Sequence, residues 1–202
     1  MSTRSEHWNG VYARRSPQEV SWFQAEACTS LELIEASGCS VDAGLIDVGA
    51  GASTLVDGLL ARGFRDITLL DIAETAFADT RRRLPDAKVQ YVVSDITAWA
   101  PTRTFDVWHD RAVFHFLTGP RDRAAYRAAL VSAVPPGGHV IIGTFASDGP
   151  ERCSSLPVQR YSAEELAREF RAELRAVETR SERHATPGGS SQSFVFVRFL
   201  RP

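Results

Sequence analysis

The chain has 202 residues, 44% hydrophobic and 24% charged, which fits one ordinary folded domain whose core needs neither disulfides nor a metal. With 23 basic against 25 acidic residues the formal net charge is -2, which excludes a general nucleic-acid binder held by a strongly basic surface. Cys28, Cys39 and Cys153 form no C-x-x-C pair, so neither a disulfide framework nor a cysteine zinc site is expected. Residues 1–10 lack an apolar signal core, and no stretch approaches the ~20 apolar residues of a membrane span; the expected setting is cytoplasmic, with no membrane partner.

Ser16-Pro17-Gln18-Glu19 combines a capping box with a proline in the first turn, and predicts a helix running to about Ser37, where Gly38 stops it. Leu45-Ile46-Asp47-Val48 then reads as a short buried strand. The pattern alternates from there: a helix near 53–62, strand 67–71, helix 74–84, strands 89–93 and 105–109, helix 121–133 and strand 139–145. Such alternation implies an α/β fold with a parallel sheet covered on both faces. A second capping box at Ser162-Ala163-Glu164-Glu165 opens a helix to about Phe170, and alternating residues over 173–183 and 193–200 flank Pro187-Gly188-Gly189 as an antiparallel hairpin. No linker splits the chain; residues 1–43 read as an appendage to a sheet domain at 44–202.

The most specific stretch is Leu45-Ile46-Asp47-Val48-Gly49-Ala50-Gly51-Ala52-Ser53, a strand running through a glycine turn into a helix. Gly49 and Gly51 allow a ligand to approach the backbone, although a tight turn without a ligand uses the same residues. Asp47, Asp71 and Asp95 are evenly spaced, so successive strand ends present carboxylates at the edge where open parallel sheets bind ligands. Asp71, about 20 residues beyond Gly51, suits a ribose diol; Asp95 is either a ligand contact or a turn cap. Thr54 stands where a dinucleotide fingerprint has its third glycine, and no phosphate-binding G-x-x-x-x-G-K-[ST] loop is present, which favours a nucleoside without a pyrophosphate.

D-V-G-A-G-A-S, L-L-D-I, S-D-I, F-D-V-W-H-D-R-A-V-F-H-F-L and P-P-G-G, in that order over about residues 44–145, resemble the motifs of class I S-adenosylmethionine-dependent methyltransferases. The resemblance implies a Rossmann-like, seven-stranded, mostly parallel sheet with an antiparallel last strand, and S-adenosylmethionine as cofactor, with no metal. It also implies a cofactor contact set of Asp47, Gly49, Ala50, Gly51, Ser53, Asp71, Ile72, Ser94, Asp95, Ile96, His109 and Asp110. Within it Asp71 would hold the ribose, Ile72, Asp95 and Ile96 the adenine.

His7-Trp8-Asn9-Gly10-Val11-Tyr12 and Trp22-Phe23 place large aromatics ahead of the sheet domain. They suit either plain packing or a lid over a charged small molecule. The W-x-x-x-Y spacing resembles the N-terminal cover of thiopurine methyltransferase and of some small protein-lysine methyltransferases, which adds Trp8, Tyr12 and Trp22 to the cofactor contacts. Trp22 and Phe23 are the leading candidates for that lid, and both are expected to contact the acceptor.

Trp108-His109-Asp110-Arg111 ends the fourth strand, and Asp110-Arg111 is similar to part of the W-D-R-G stretch of thiopurine methyltransferase, with Ala112 in place of its glycine. Asp110, Arg111 and His115 are the candidate catalytic groups: His115 is either a buried helix-start histidine or a general base, and Arg111 is suited to hold an anion or lower a thiol pKa. Phe114 and the loop residues Cys153, Arg160 and Tyr161 are candidates for an acceptor pocket. The expected activity is methyl transfer to a small-molecule nucleophile, a thiol being best motivated. The alternatives are a protein-lysine acceptor, for which the relatives' D-K-G-T motif is missing, and a cofactor-binding subunit without turnover.

Overall fold

The computed structural model describes residues 3–202; residues 1 and 2 of the expected N-terminal cap lie outside the described residues. Seven strands form one sheet: β1 (Leu45–Val48), β2 (Ile67–Asp71), β3 (Val89–Val93), β4 (Val107–Arg111), β5 (His139–Phe145), β8 (Arg175–Ala185) and β9 (Ser191–Leu200). β6 (Arg152–Cys153) and β7 (Leu156–Pro157) make a separate small hairpin. The sheet order is β3-β2-β1-β4-β5-β9-β8; β1 to β5 are parallel, and β9 lies antiparallel between β5 and β8. This is the Rossmann-like sheet with its last strand reversed that the motif order implies.

β1 and β2 are buried at every position, which is why they read as continuous apolar runs rather than alternating ones. Helices α2 (Cys28–Glu35) and α3 (Leu55–Ala61) cover one face through Leu33, Ile34 and Leu59. Helices α5 (Pro120–Ala133) and α6 (Ala163–Glu169) cover the other through Tyr126, Leu130 and Leu166. At the edge, β8 is mostly exposed and carries Arg175, Glu178, Arg180, Glu182 and Arg183, charges that discourage further strand pairing. Among the described residues no helix is long and apolar enough to cross a membrane.

Three expectations change. The Ser16 box caps only a 3₁₀ turn at Pro17–Glu19, because Val20 is extended (φ -84°, ψ 142°) and the chain then runs irregularly to α2. The helix expected over 74–84 is split into a 3₁₀ turn (Glu74–Phe77) and α4 (Ala78–Arg83). The strand expected at 105–109 begins two residues later, since Phe105 N–H donates to Ala133 O outside the sheet and the Asp106 carboxylate accepts from Gly44 N–H. The strand therefore closes on Trp108-His109-Asp110-Arg111, with Asp110 and Arg111 inside it.

A polar helix, α1 (Thr3–Arg14), precedes the first helix read from the sequence; Val11 is its only buried residue. The loop read at 146–161 contains the β6–β7 hairpin, whose turn residues Ser154 and Ser155 have φ 48° and 66°, as a two-residue hairpin turn requires.

Gly49, at φ 67°, has no room for a side chain, since a Cβ there would meet Val113 Cγ2. Ala112, directly after β4, is also left-handed at φ 72°, with its N–H held by Gly143 O at 2.8 Å. An L-residue pays about 1–2 kcal/mol for that conformation, whereas glycine loses ~0.5–1 kcal/mol of chain freedom on folding. Ala112→Gly is therefore expected to raise stability by about 0.5–1 kcal/mol in urea unfolding, with an unchanged slope; a loss of stability would show that the turn is not under strain.

Candidate active site

A cleft opens at the carboxyl edge of the sheet. Its walls include Val48, Gly49, Asp71, Ile72, Ser94, Asp95 and Ile96 from the strand ends, Trp8, Tyr12 and Trp22 from the N-terminal segment, and Arg111, Phe116 and Cys153 towards β5. A second recess adjoins it, sharing Tyr12, Trp22, Gly49 and Arg111, with Phe23, Asp47, Ala50, Ser53 and His109 in its own lining. The fold thus brings residues from Trp8 to Cys153 in the sequence together at one edge of the sheet.

At one end, Asp71 accepts from Gly51 N–H and Ala73 N–H, both at 2.9 Å. Burial pushes its pKa up to about 6; at neutral pH it is a carboxylate with one backbone donor on each oxygen. Asp95 uses Oδ1 to accept from the Thr97 N–H and hydroxyl at 2.9 and 2.7 Å, so it caps a turn and lines the cleft at once. Its Oδ2 lies 3.9 Å from Arg4, which also pairs with Asp122.

α1 spans the cleft. Ser5 donates to Ile72 O, Thr75 donates to Asn9 Oδ1 at 2.9 Å, and His7 Nε2 lies 3.3 Å from Ser154 Oγ in the β6–β7 turn. Trp8 meets Trp22 and Phe116 edge-on, with ring centroids 5.8 and 5.2 Å apart. The Tyr12 hydroxyl sits over Gly51, which lies beneath it rather than in the cleft wall. Burial, with Asp71 beside it, holds the Tyr12 pKa well above that of a free phenol.

The floor of the second recess is a buried polar line: Asp47 Oδ1 to His109 Nδ1 at 2.7 Å, and His109 Nε2 to Ser30 Oγ at 2.9 Å. Beside it, Arg111 donates to Trp22 O at 3.1 Å and to Glu182 Oε1 at 3.5 Å, with its guanidinium 4.3 Å over the Phe194 ring. Its Nε–H is buried without a partner. Burial lowers the Arg111 pKa, yet an arginine remains cationic at any physiological pH. Cys153 is pushed up to about 12 by burial, which outweighs the pull of Arg111.

Several sequence candidates are not in the cleft. Asp110 is fully buried on the opposite face of β4, where it accepts from Tyr126 O–H, Val113 N–H and Phe114 N–H, so it neither touches a cofactor nor acts as a base. His115 is fully buried between Phe116 and Phe145, takes the Phe145 N–H at 3.4 Å, and has its pKa pushed down to about 3 by burial. That environment keeps it neutral and walled off, and removes it as the general base.

Phe114 packs in the core against Tyr126 and Phe170, and Tyr161 is buried beside it. Arg160 points outward to Glu151 and Gly149 O. None of these three lines the cleft or the recess beside it. Conversely Arg4, Ser30, Val113, Phe116 and Glu182 belong to the site or its support and were missed. Phe116 sat inside the quoted H-F-L run, whereas Arg4 and Glu182 carry no local signal.

The comparisons with known proteins agree with this architecture. Residues 45–138 match the family model described as a methyltransferase domain. Nodulation protein S of Rhizobium fredii is 30% identical over 99 residues, 47% of this chain and 55% of that protein. The chain spans about half the length of the curated relatives it matches.

Among solved structures, one from the conversion of a disulfide bond into a thioacetal group during echinomycin biosynthesis is 22% identical with a TM-score of 0.76, covering 98% of this chain and 92% of that one. The N-methyltransferase NodS from Bradyrhizobium japonicum WM9, in complex with S-adenosylhomocysteine, is 17% identical with a TM-score of 0.73, covering 97% and 99%.

The buried His115 has a measurable signature. The unfolded chain takes up a proton near pH 6.5 that the folded chain refuses until about pH 3, so this residue costs stability progressively as pH falls below 6.5. Relative to His115→Leu, the unmodified protein is expected to lose about 1.4 kcal/mol per pH unit between pH 6 and 4. Parallel unfolding curves across that range would mean that His115 is solvated and protonates freely.

Proposed function

We propose that this chain, whose residues 45–138 match the methyltransferase-domain family model, is an S-adenosylmethionine-dependent methyltransferase acting on a small molecule, with a neutral nitrogen as the nucleophile. The observation that carries the nitrogen reading is the absence of any proton acceptor among the cleft residues described at the β5 side. Tyr12 keeps its proton, Arg111 is a cation, and Cys153 stays a thiol even beside Arg111. A site that leaves its own thiol protonated is poorly built to ionise an acceptor thiol, whereas an amine of low basicity carries a free lone pair at neutral pH.

The residues present fit the cofactor. The Asp71 carboxylate faces the cleft with hydrogen-bonding capacity left on both oxygens, which suits a ribose diol. The turn through Gly49 lets an elongated ligand lie on the backbone, and Ile72 and Ile96 offer apolar contact to an adenine. Bound there, the cofactor would supply an electrophilic methyl on a positively charged sulfur, with a neutral thioether as the leaving group.

Trp8, Trp22 and Phe116 keep water from the acceptor end and hold the nucleophile in line. The methylated nitrogen keeps its surplus proton within the closed cleft and gives it up to solvent once the product leaves. The relatives are in keeping with this: one structural neighbour is described as an N-methyltransferase. A sulfur acceptor is the second reading, favoured by the cation of Arg111 and by the sulfur chemistry of another neighbour. α1 roofs the cleft, which favours a small molecule over a protein side chain.

The test is transfer of labelled methyl from S-adenosylmethionine to matched amines, phenols and thiols and to whole-proteome protein. Label on low-basicity amines is expected; label confined to protein or oxygen acceptors would sink the reading, and label on thiols alone would promote the second. Cofactor binding carries its own pH signature. Ribose hydroxyls donate to the ionised form of Asp71, whose pKa is pushed up to about 6, so affinity should fall about tenfold per unit below pH 6 and be flat above it. Calorimetry of Asp71→Asn should give a weak, pH-independent affinity; an unchanged affinity would refute the ribose assignment.

A further inference from the structure

The placement of Arg111 says more about the acceptor. It is the last residue of β4, in register with Gly143 of β5, and its guanidinium lies over Phe194 of β9 and reaches Glu182 of β8, between the main cleft and the recess beside the glycine loop, both of which it lines. In the sheet order these strands lie on the far side of β5 from the Asp71 and Asp95 ends. The guanidinium thus lines the cleft from the half that the adenosine-binding strand ends do not occupy.

Its donors are not used up. A guanidinium has five N–H groups; Trp22 O and Glu182 take one each, the second at 3.5 Å, and the buried Nε–H has no partner. Glu182 is itself shared, accepting from Gln24 Nε2 at 3.0 Å. A cation whose one ion pair is long and shared is under-compensated, and an anion that meets its terminal N–H groups from the cleft would complete it.

The walls around it define the rest of the ligand. Trp8 stands at 79° to Trp22 and 76° to Phe116, so a flat ring stacked on one of these faces meets another edge-on, the two favoured aromatic geometries.

We propose that the acceptor is a planar aromatic amine bearing a carboxylate, and that Arg111 holds the carboxylate so that the amine faces the methyl donor. This rests on the small-molecule methyltransferase reading and adds a substrate class to it. Glu182 sets the selectivity: by partly neutralising Arg111 it lets the site stay closed when empty, and it repels a second negative charge, so monoanions are preferred to dianions.

The experiment is calorimetry on the full chain loaded with S-adenosylhomocysteine, using the three aminobenzoate isomers, aniline and aminophthalate as probes. At least one aminobenzoate should bind tenfold or more tightly than aniline or aminophthalate. Because Arg111→Gln alone strands Glu182 in the interior, the comparison variant is Arg111→Gln with Glu182→Gln, which removes both charges. In it the aminobenzoate preference over aniline should vanish while affinities for S-adenosylhomocysteine and for methylthioadenosine, which lacks the amino-acid end, stay unchanged. Equal binding of acid and aniline by the unmodified protein would overturn the proposal. So would a variant that loses S-adenosylhomocysteine but not methylthioadenosine, since the anion site would then belong to the donor. Failure of the unmodified protein to bind S-adenosylhomocysteine at all would instead strike at the methyltransferase reading beneath it.

Discussion

At the end of β4 the Asp110 carboxylate gathers three donors, the Tyr126 hydroxyl at 2.7 Å and the Val113 and Phe114 N–H groups at 2.8 and 3.1 Å. Tyr126 in turn accepts from Trp108 Nε1 at 2.9 Å, so the knot is tied to the middle of the core. Hydrogen bonds to a charged acceptor are about twice as strong as neutral ones, and here they force the chain to reverse through left-handed Ala112. That reversal presses Val113 on Gly49, sends Phe114 and His115 inward, and leaves Arg111 and Phe116 facing the cleft. Asp110 thus shapes this wall of the cleft without lining it.

The three evenly spaced aspartates at the strand ends meet three different solutions to burial. Asp47 is paired with His109, which Ser30 pins from the other side. Asp71 is satisfied by backbone N–H groups and Asp95 by Thr97. A carboxylate held by backbone donors keeps lone pairs for a ligand, while one locked to a histidine is committed to shaping the floor. Equal spacing in sequence therefore does not mean equal roles: Asp47 and Asp71 share a face of the sheet, and their depth along it separates them, Asp47 lying opposite His109 within the strands and Asp71 closing its strand beside Gly51.

What was legible follows from how local each signal is. The Gly49–Gly51 turn, Asp71 and Asp95 are short motifs tied to a strand end, and the alternation of buried runs fixes which edge they share. Asp110 was misjudged because the alternation along β4 puts it with Trp108 on the face away from Arg111, and His115 because its direction hinges on the φ of Ala112, which no periodicity reports. A glycine in related stretches at that position was the available hint of a left-handed residue. α1 escaped because an amphipathic pattern needs an apolar stripe, and this helix buries only Val11. Glu182 is brought to Arg111 by strand pairing between β8 and β9 and by nothing near it in the chain.

The thin interface of α1 has a mechanical consequence. Its attachments are polar and dispersed: Arg4 to Asp122, Ser5 to Ile72 O, Asn9 to Thr75, and His7 to the Ser154 turn, with the Trp8 and Tyr12 rings between them. Solvent-accessible hydrogen bonds and few buried apolar contacts place an element at the low end of local stability. The same helix roofs the Asp71 end through Ser5 and Asn9 and the Phe116 end through Trp8 and His7. Displacing it uncovers both halves of the cleft together, so the two ends share one cover and the water excluded from one is excluded from the other.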